Sequence, residues 1–247
     1  MSKAIFVIGT GTDIGKTYVT GLIVKKLKEA GLKCGYYKAA MSGNIRDDRG
    51  KPIPQDAVFV KEISGIGQSL EDMCPFVYEH AYSPHLAARI EGNAVKLPVV
   101  AEKYENLKTK YDYITVEGSG GIMCPLSFDE SEFYLEDIIR MLGADCILVA
   151  DAGLGTINNV VLTCEYAKSR GINVNGIIYN RYIPNNPMHD DNIRMCEHLT
   201  GLKTLAKVKE NDDDLEIDEK ILVGLYKQES VCEPACNAEG SSERGKR

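Results

Sequence analysis

At 247 residues, with 44% hydrophobic and 26% charged side chains, the chain has the composition of a soluble globular protein and room for one large domain or two small ones. Its formal net charge of −7 argues against nonspecific nucleic-acid binding. No apolar run approaches the ~20 residues that cross a bilayer, so no membrane span is expected.

Met1-Ser2-Lys3 leads straight into a strand-like segment, and no signal peptide is expected. Among the eight cysteines, Cys34, Cys74, Cys124, Cys146, Cys164 and Cys196 are scattered, several of them in apolar runs, with no Cys-x-x-Cys pair. They read as free thiols of a cytoplasmic protein.

The first predicted strand, Ala4–Ile8, ends in Gly9-Thr10-Gly11-Thr12-Asp13-Ile14-Gly15-Lys16-Thr17. A glycine-rich turn between a strand and a helix is a phosphate cradle: its N–H groups point inward and the helix start adds partial positive charge. Lys16 can reach the outer phosphates, and Thr17 can place a hydroxyl on Mg²⁺. Five residues separate Gly9 from Gly15, one more than in the common form, so the loop is a lengthened variant. Val19, Ile23, Leu27 and Ala30 then recur at helical spacing until Gly31 stops the run.

The second strand, Cys34–Tyr37, is followed by Lys38-Ala39-Ala40-Met41-Ser42-Gly43. A lysine at the carboxyl end of a strand would face the nucleotide crevice and neutralise charge in phosphoryl transfer; the position equally suits a solvated surface lysine. Asp56, in Pro54-Gln55-Asp56-Ala57, precedes a helical stretch and reads equally as a functional carboxylate or as a helix-start charge. The strand Tyr113–Glu117 ends in a carboxylate before Gly118-Ser119-Gly120-Gly121. That pattern suits a Mg²⁺ ligand with glycines that let the backbone approach a ligand, or a glycine-rich turn with an incidental acid.

After Cys146–Ala150, Asp151-Ala152-Gly153-Leu154-Gly155 leads into a helix, Ile157–Ser169, closed by Gly171. This second helix start would suit a carboxylate, or is simply capped by Thr156 or Asn158. Asn180 ends the strand Gly176–Asn180; its amide suits a purine edge or a turn. A helix from near Pro187 to near Gly201, a strand Thr204–Val208 and a helix over roughly Leu215–Tyr226 follow, the last behind the acidic run Asp212–Asp214.

Residues 229–247 carry Val231 as their only aliphatic beyond alanine and are expected to form a disordered tail, with Cys232 and Cys236 a weak metal signal. His80, His85, His189 and His198 lack metal spacing, and no serine sits in a nucleophile elbow. Strand–helix alternation with nearly all-apolar strands predicts an α/β fold over residues 1–228. Its sheet is mostly parallel, with helices on both faces, of P-loop NTPase type. Ligands in such folds bind at the carboxyl ends of the strands.

Taken together, these residues resemble dethiobiotin synthetase, the ATP-dependent carboligase of biotin biosynthesis. The family's lengthened loop, Gly-Thr-x-Thr-[Glu/Asp]-x-Gly-Lys-Thr, matches Gly9–Thr17 with Asp13 in the acidic slot. Its Lys-Pro-x-x-Ser-Gly resembles Lys38–Gly43, its Glu-Gly-[Ala/Ser]-Gly-Gly matches Glu117–Gly121, its Ser-Pro-His matches Ser83–His85, and its Leu-Gly-x-Ile-Asn matches Leu154–Asn158. Ala39 stands where the family usually has proline, and Val208-Lys209 where it often has Ile-Pro near the base; the segment after Tyr226 has no counterpart.

The resemblance implies a homodimer that carboxylates 7,8-diaminopelargonic acid with CO₂, phosphorylates the carbamate with ATP and closes a cyclic urea. It puts catalysis on Lys38 and Lys16, and Mg²⁺ on Thr17, Asp56 and Glu117. ATP contacts fall to Asp13, Ile14, Gly15, Lys16, Thr17, Tyr18, Asp56, Glu117, Gly118, Ser119, Gly120, Asn180 and Arg181. Substrate contacts fall to Thr12, Ser42, Ser83 and Pro84, with Gly153, Leu154 and Asn158 of one subunit holding the carboxylate of substrate bound mainly to the other. Two relatives in the superfamily are alternatives. A cobyrinate-type amide synthase usually carries a glutaminase-like domain, for which this chain lacks room. A partitioning or septum-positioning ATPase carries an extra lysine early in the loop, where this chain has Thr10-Gly11-Thr12. An inactive nucleotide-binding homologue is the third reading.

Overall fold

The computed structural model describes residues 2–128 and 131–228. All six predicted strands form: β1 (Lys3–Gly9), β2 (Cys34–Tyr37), β3 (Tyr113–Glu117), β4 (Asp145–Asp151), β5 (Val174–Asn180) and β6 (Thr204–Lys207). They pair in the order β6-β5-β4-β1-β3-β2, every pair parallel. A short strand, Lys227–Gln228, adds antiparallel to the start of β1, where Lys227 Nζ lies 2.7 Å from a carboxylate oxygen of Asp145.

The all-apolar character of β1 follows from its place in the middle of this sheet. Phe6 and Ile8 pack into one core with Tyr104, Ile138, Val160 and Ile193. Ile5 and Val7, on the opposite face, pack into a second core with Val19, Leu22, Ile23, Val60 and Leu222. Both faces are dry, so no polar alternation is left in the sequence.

The helices over these faces are α1 (Lys16–Glu29), α2 (Gln55–Ser64), α3 (Pro84–Ile90), α4 (Leu97–Lys108), α5 (Leu135–Leu142), α6 (Thr156–Ser169), α7 (Pro187–Thr200) and α8 (Glu219–Gly224). Pro84 and Pro98 sit in the first turns of α3 and α4, where a missing N–H costs nothing.

The last helix is shorter than expected and begins later. Asp218 caps it, accepting from the N–H groups of Lys220 at 2.8 Å and Ile221 at 3.2 Å. The acidic run Asp212–Asp214 folds onto α1 instead: Tyr18 donates to the Asp212 carbonyl, and Lys26 pairs with Asp214 at 3.1 Å. The Asp214 carboxylate is thus paired with α1, and that of Asp212 accepts from the Lys209 N–H at 2.8 Å, so neither caps the last helix. The expected tail at 229–247, with Cys232 and Cys236, lies outside the described residues. The six cysteines expected to be free are free. No described helix is long and apolar enough to cross a membrane.

Candidate active site

β1 delivers the chain into the glycine-rich loop, and α1 leaves it. Gly15 has φ +88°, in the left-handed region, and a Cβ there would fall 2.0 Å from Asn180 Nδ2. Only glycine meets both demands. That close approach is used: Asn180 Nδ2 donates to the Ile14 carbonyl at 3.0 Å, so the end of β5 braces the loop. No side chain caps α1, which leaves its first N–H groups available to an anion.

Lys16 is buried and donates from Nζ to the Gly11 carbonyl at 2.6 Å. Burial, and next the nearby Lys38 charge, push its pKa down to about 8. Arg181 donates to the Asp13 carbonyl at 2.6 Å and pairs with Asp151 Oδ2 at 3.0 Å. Asp151 Oδ1 in turn accepts from the Gly153 N–H at 2.7 Å. One arginine thus fixes the phosphate loop relative to the loop after β4.

Lys38 is not a surface lysine; it is 5% exposed. Its Nζ lies 2.6 Å from Asp56 Oδ2 and 2.6 Å from Glu117 Oε1. Burial alone would lower its pKa, but the two carboxylates outweigh it and hold the pKa above the usual lysine value. Glu117 Oε1 also accepts from Thr17 Oγ1 at 2.8 Å. The ends of β2 and β3 and the first turns of α1 and α2 therefore meet at one point. Among the described residues no three His, Cys, Asp or Glu side chains converge as a metal cluster. Two carboxylates and a hydroxyl are nevertheless the hard-oxygen set that Mg²⁺ uses when phosphates complete its shell. The Lys38 ammonium stands between those carboxylates as a cation already held there.

A cleft of about 700 Å³ opens over this point. It is lined by Thr12, Asp13, Gly15, Lys16, Thr17, Lys38, Asp56, Glu117, Ser119, Gly120 and Arg181, and, toward its other end, by Ser42, Ser83 and Pro84. Ala39 is accommodated without proline: the Lys38 N–H donates to the Met73 carbonyl at 2.9 Å, and Ser119 Oγ to the Ala40 carbonyl at 2.6 Å, which fixes the turn. Ile14, Tyr18, Gly118 and Asn180 support the site rather than line that cleft. Gly118 lets the chain pass where a Cβ would meet Leu135 at 2.8 Å.

Gly153, Leu154 and Asn158 do not line the cleft of their own chain. Leu154 is 92% exposed, and Asn158 is exposed. Neither Thr156 nor Asn158 caps α6; its cap is Gly155, and the Thr156 hydroxyl is buried without a partner. Sequence reasoning passed over Tyr36, whose hydroxyl donates to Glu117 Oε2 at 2.9 Å, because a tyrosine in an apolar strand reads as core.

The family model described as an AAA domain matches residues 3–216. An ATP-dependent dethiobiotin synthetase BioD from Brachyspira hyodysenteriae is 49% identical over 227 residues, covering 92% of this chain and 100% of that protein. Proteins of the same name from Clostridium perfringens (43% over 229 residues, 91% and 100%) and Clostridium novyi (45% over 237 residues, 94% and 99%) are similar throughout. Among solved structures, the MinC:MinD cell division protein complex of Aquifex aeolicus superposes with a TM-score of 0.51 at 15% identity, over 90% of this chain and 84% of that one. At that identity the likeness speaks for the fold alone. Identity of this order along almost the full length of both partners, with the glycine-rich loop and the lysine–carboxylate network in place, makes this chain a member of the ATP-dependent dethiobiotin synthetase family.

Proposed function

We propose that the cleft binds ATP, Mg²⁺, 7,8-diaminopelargonate and CO₂, and that the residues assembled there make dethiobiotin with release of ADP and phosphate. The observation that carries this assignment of roles is the buried Lys38 held at 2.6 Å from both Asp56 and Glu117, beside Thr17 and at the foot of the phosphate loop.

One amine of the substrate takes up CO₂ and loses a proton to give a carbamate. A carbamate oxygen attacks the γ-phosphorus and ADP leaves. The second amine attacks the carbonyl of the mixed anhydride, phosphate leaves, and the ring closes. Thr17, Asp56 and Glu117 would hold Mg²⁺, which supplies charge to the β- and γ-phosphate oxygens. Lys16 leaves the Gly11 carbonyl for the phosphates. Lys38, already held at Asp56 and Glu117, directs its charge to the carbamate and the transferred phosphoryl group. Thr12 and Ser42 position the carbamate or amine, and Ser83 and Pro84 bound the substrate end.

The enzyme acts in the cytoplasm as a homodimer, residues 1–228 forming the working unit. The start of α6 reaches the substrate carboxylate in the cleft of a second copy. The outward-facing Leu154 just before it and its uncapped N–H groups support that reading.

The test is conversion of diaminopelargonate to dethiobiotin with ATP and bicarbonate; no product at saturating substrates sinks the proposal. Glu117→Gln and Asp56→Asn should each raise the Mg²⁺ concentration needed for half-maximal rate. The effect should be larger for Glu117, which is wholly buried and joins Thr17 to Lys38. A magnesium titration that overlays wild type removes the residue concerned from the metal site.

A further inference from the structure

The two oxygens of Glu117 have different partners. Oε1 takes hydrogen bonds from Thr17 and Lys38, and Oε2 takes one from Tyr36 Oη at 2.9 Å. The Glu117 side chain is 0% exposed, as is Tyr36, so water does not supply what these partners give.

Tyr36 is itself held. β2 is an edge of the sheet, and an edge residue has a backbone N–H and C=O with no strand to pair with. The Gln68 amide closes both: its Oε1 accepts from the Tyr36 N–H at 2.8 Å, and its Nε2 donates to the Tyr36 carbonyl at 2.8 Å. Gln68 is 1% exposed. Gly35 makes room for this approach, since a Cβ there would lie 3.1 Å from Gln68 Oε1 and 2.7 Å from the Tyr111 ring.

We propose that Tyr36 is a positioning residue for the metal–nucleotide site: it fixes Oε2 of Glu117 so that Oε1 alone is offered to Thr17, Lys38 and the cation, and Gln68 fixes Tyr36. The inference rests on the reading of Glu117 as a Mg²⁺ ligand. A carboxylate held by its second oxygen cannot rotate when the cation arrives, so its ligand geometry is set beforehand.

The full chain is titrated with Mn²⁺ in the presence of ADP, free Mn²⁺ being followed by its paramagnetic resonance signal. Wild type is compared with Tyr36→Phe, Glu117→Gln and the double variant, and ADP affinity is measured separately in a chelator. Tyr36→Phe keeps the ring in the core and should weaken Mn²⁺ about 10-fold, with metal-free ADP affinity unchanged. The double variant should bind Mn²⁺ no more weakly than Glu117→Gln alone. Wild-type Mn²⁺ affinity in Tyr36→Phe, with Glu117→Gln weakened, overturns the inference while leaving Glu117 a ligand. Unchanged affinity in Glu117→Gln overturns the ligand reading, and the inference with it. Additive losses in the double variant also overturn it, because Tyr36 would then act by another route. If Tyr36→Phe does not fold, Gln68→Met probes the same chain of contacts; Mn²⁺ affinity equal to wild type in that variant is equally decisive against it.

Discussion

Lys38→Gln is expected to lower kcat for dethiobiotin formation by about 10²-fold or more, with ATP affinity close to wild type. The lysine is charged, buried and held by Asp56 and Glu117, so its position is set before any substrate enters. A charge of that kind contributes most where charge moves, between the carbamate oxygen and the phosphoryl group. The loop around Gly15, Lys16 and Thr17 remains to hold the nucleotide. Glutamine keeps a donor one bond shorter and removes the charge that pairs the buried Glu117, so a melting curve should accompany the kinetics. The checking measurement is kcat together with the ATP dissociation constant. Near-normal kcat would make Lys38 a structural counter-ion for its two carboxylates. Normal kcat with collapsed ATP binding would make it a nucleotide anchor.

Lys16→Ala is expected to remove ATP turnover, by about 10³-fold or more in kcat/KM, without loss of fold. The lysine spans the loop to the Gly11 carbonyl and faces the cleft rather than either core. Its folded pKa of about 8, below the ordinary lysine value of 10.5, means that burying it as a cation opposes folding. Between those two values the unfolded chain holds a proton that the folded chain has released. Stability from this group therefore rises with pH across that window. Lys38 has the opposite sign: its folded pKa is raised, so its contribution is complete below the unfolded value and is lost as pH rises above it. Lys16→Ala should accordingly melt no lower than wild type at neutral pH, and any margin it holds should shrink toward about pH 10. A Tm well below wild type at neutral pH, or a margin that grows with pH, would overturn this account. A kcat/KM within a few-fold of wild type would remove the phosphate-loop assignment.

The sequence by itself determined the architecture. Runs such as Ala4–Ile8 and Cys146–Ala150 have no polar alternation, and the only way to bury both faces is a sheet covered on each side by helices. It also determined the phosphate loop, because Gly15-Lys16-Thr17 between a strand and a helix is a local arrangement whose chemistry needs no distant partner.

Other features depended on tertiary contact. Lys38, Asp56 and Glu117 could each be read two ways from the sequence; Asp56 lies 18 positions and Glu117 79 positions along the chain from Lys38, and only the parallel crossovers bring both carboxylates to 2.6 Å from it. Asp212–Asp214 has the composition of a helix start, yet Asp214 pairs with Lys26 of α1 and Asp212 accepts from the Lys209 N–H, so the helix begins only after Asp218. Asn180 serves as a brace for the loop because β5 ends beside Gly15. Tyr36 carried no sequence signal at all, since an aromatic residue in a buried strand is what packing alone demands. Local pattern records which groups must be buried or must turn; which polar atoms then find each other is decided by how the strands are ordered.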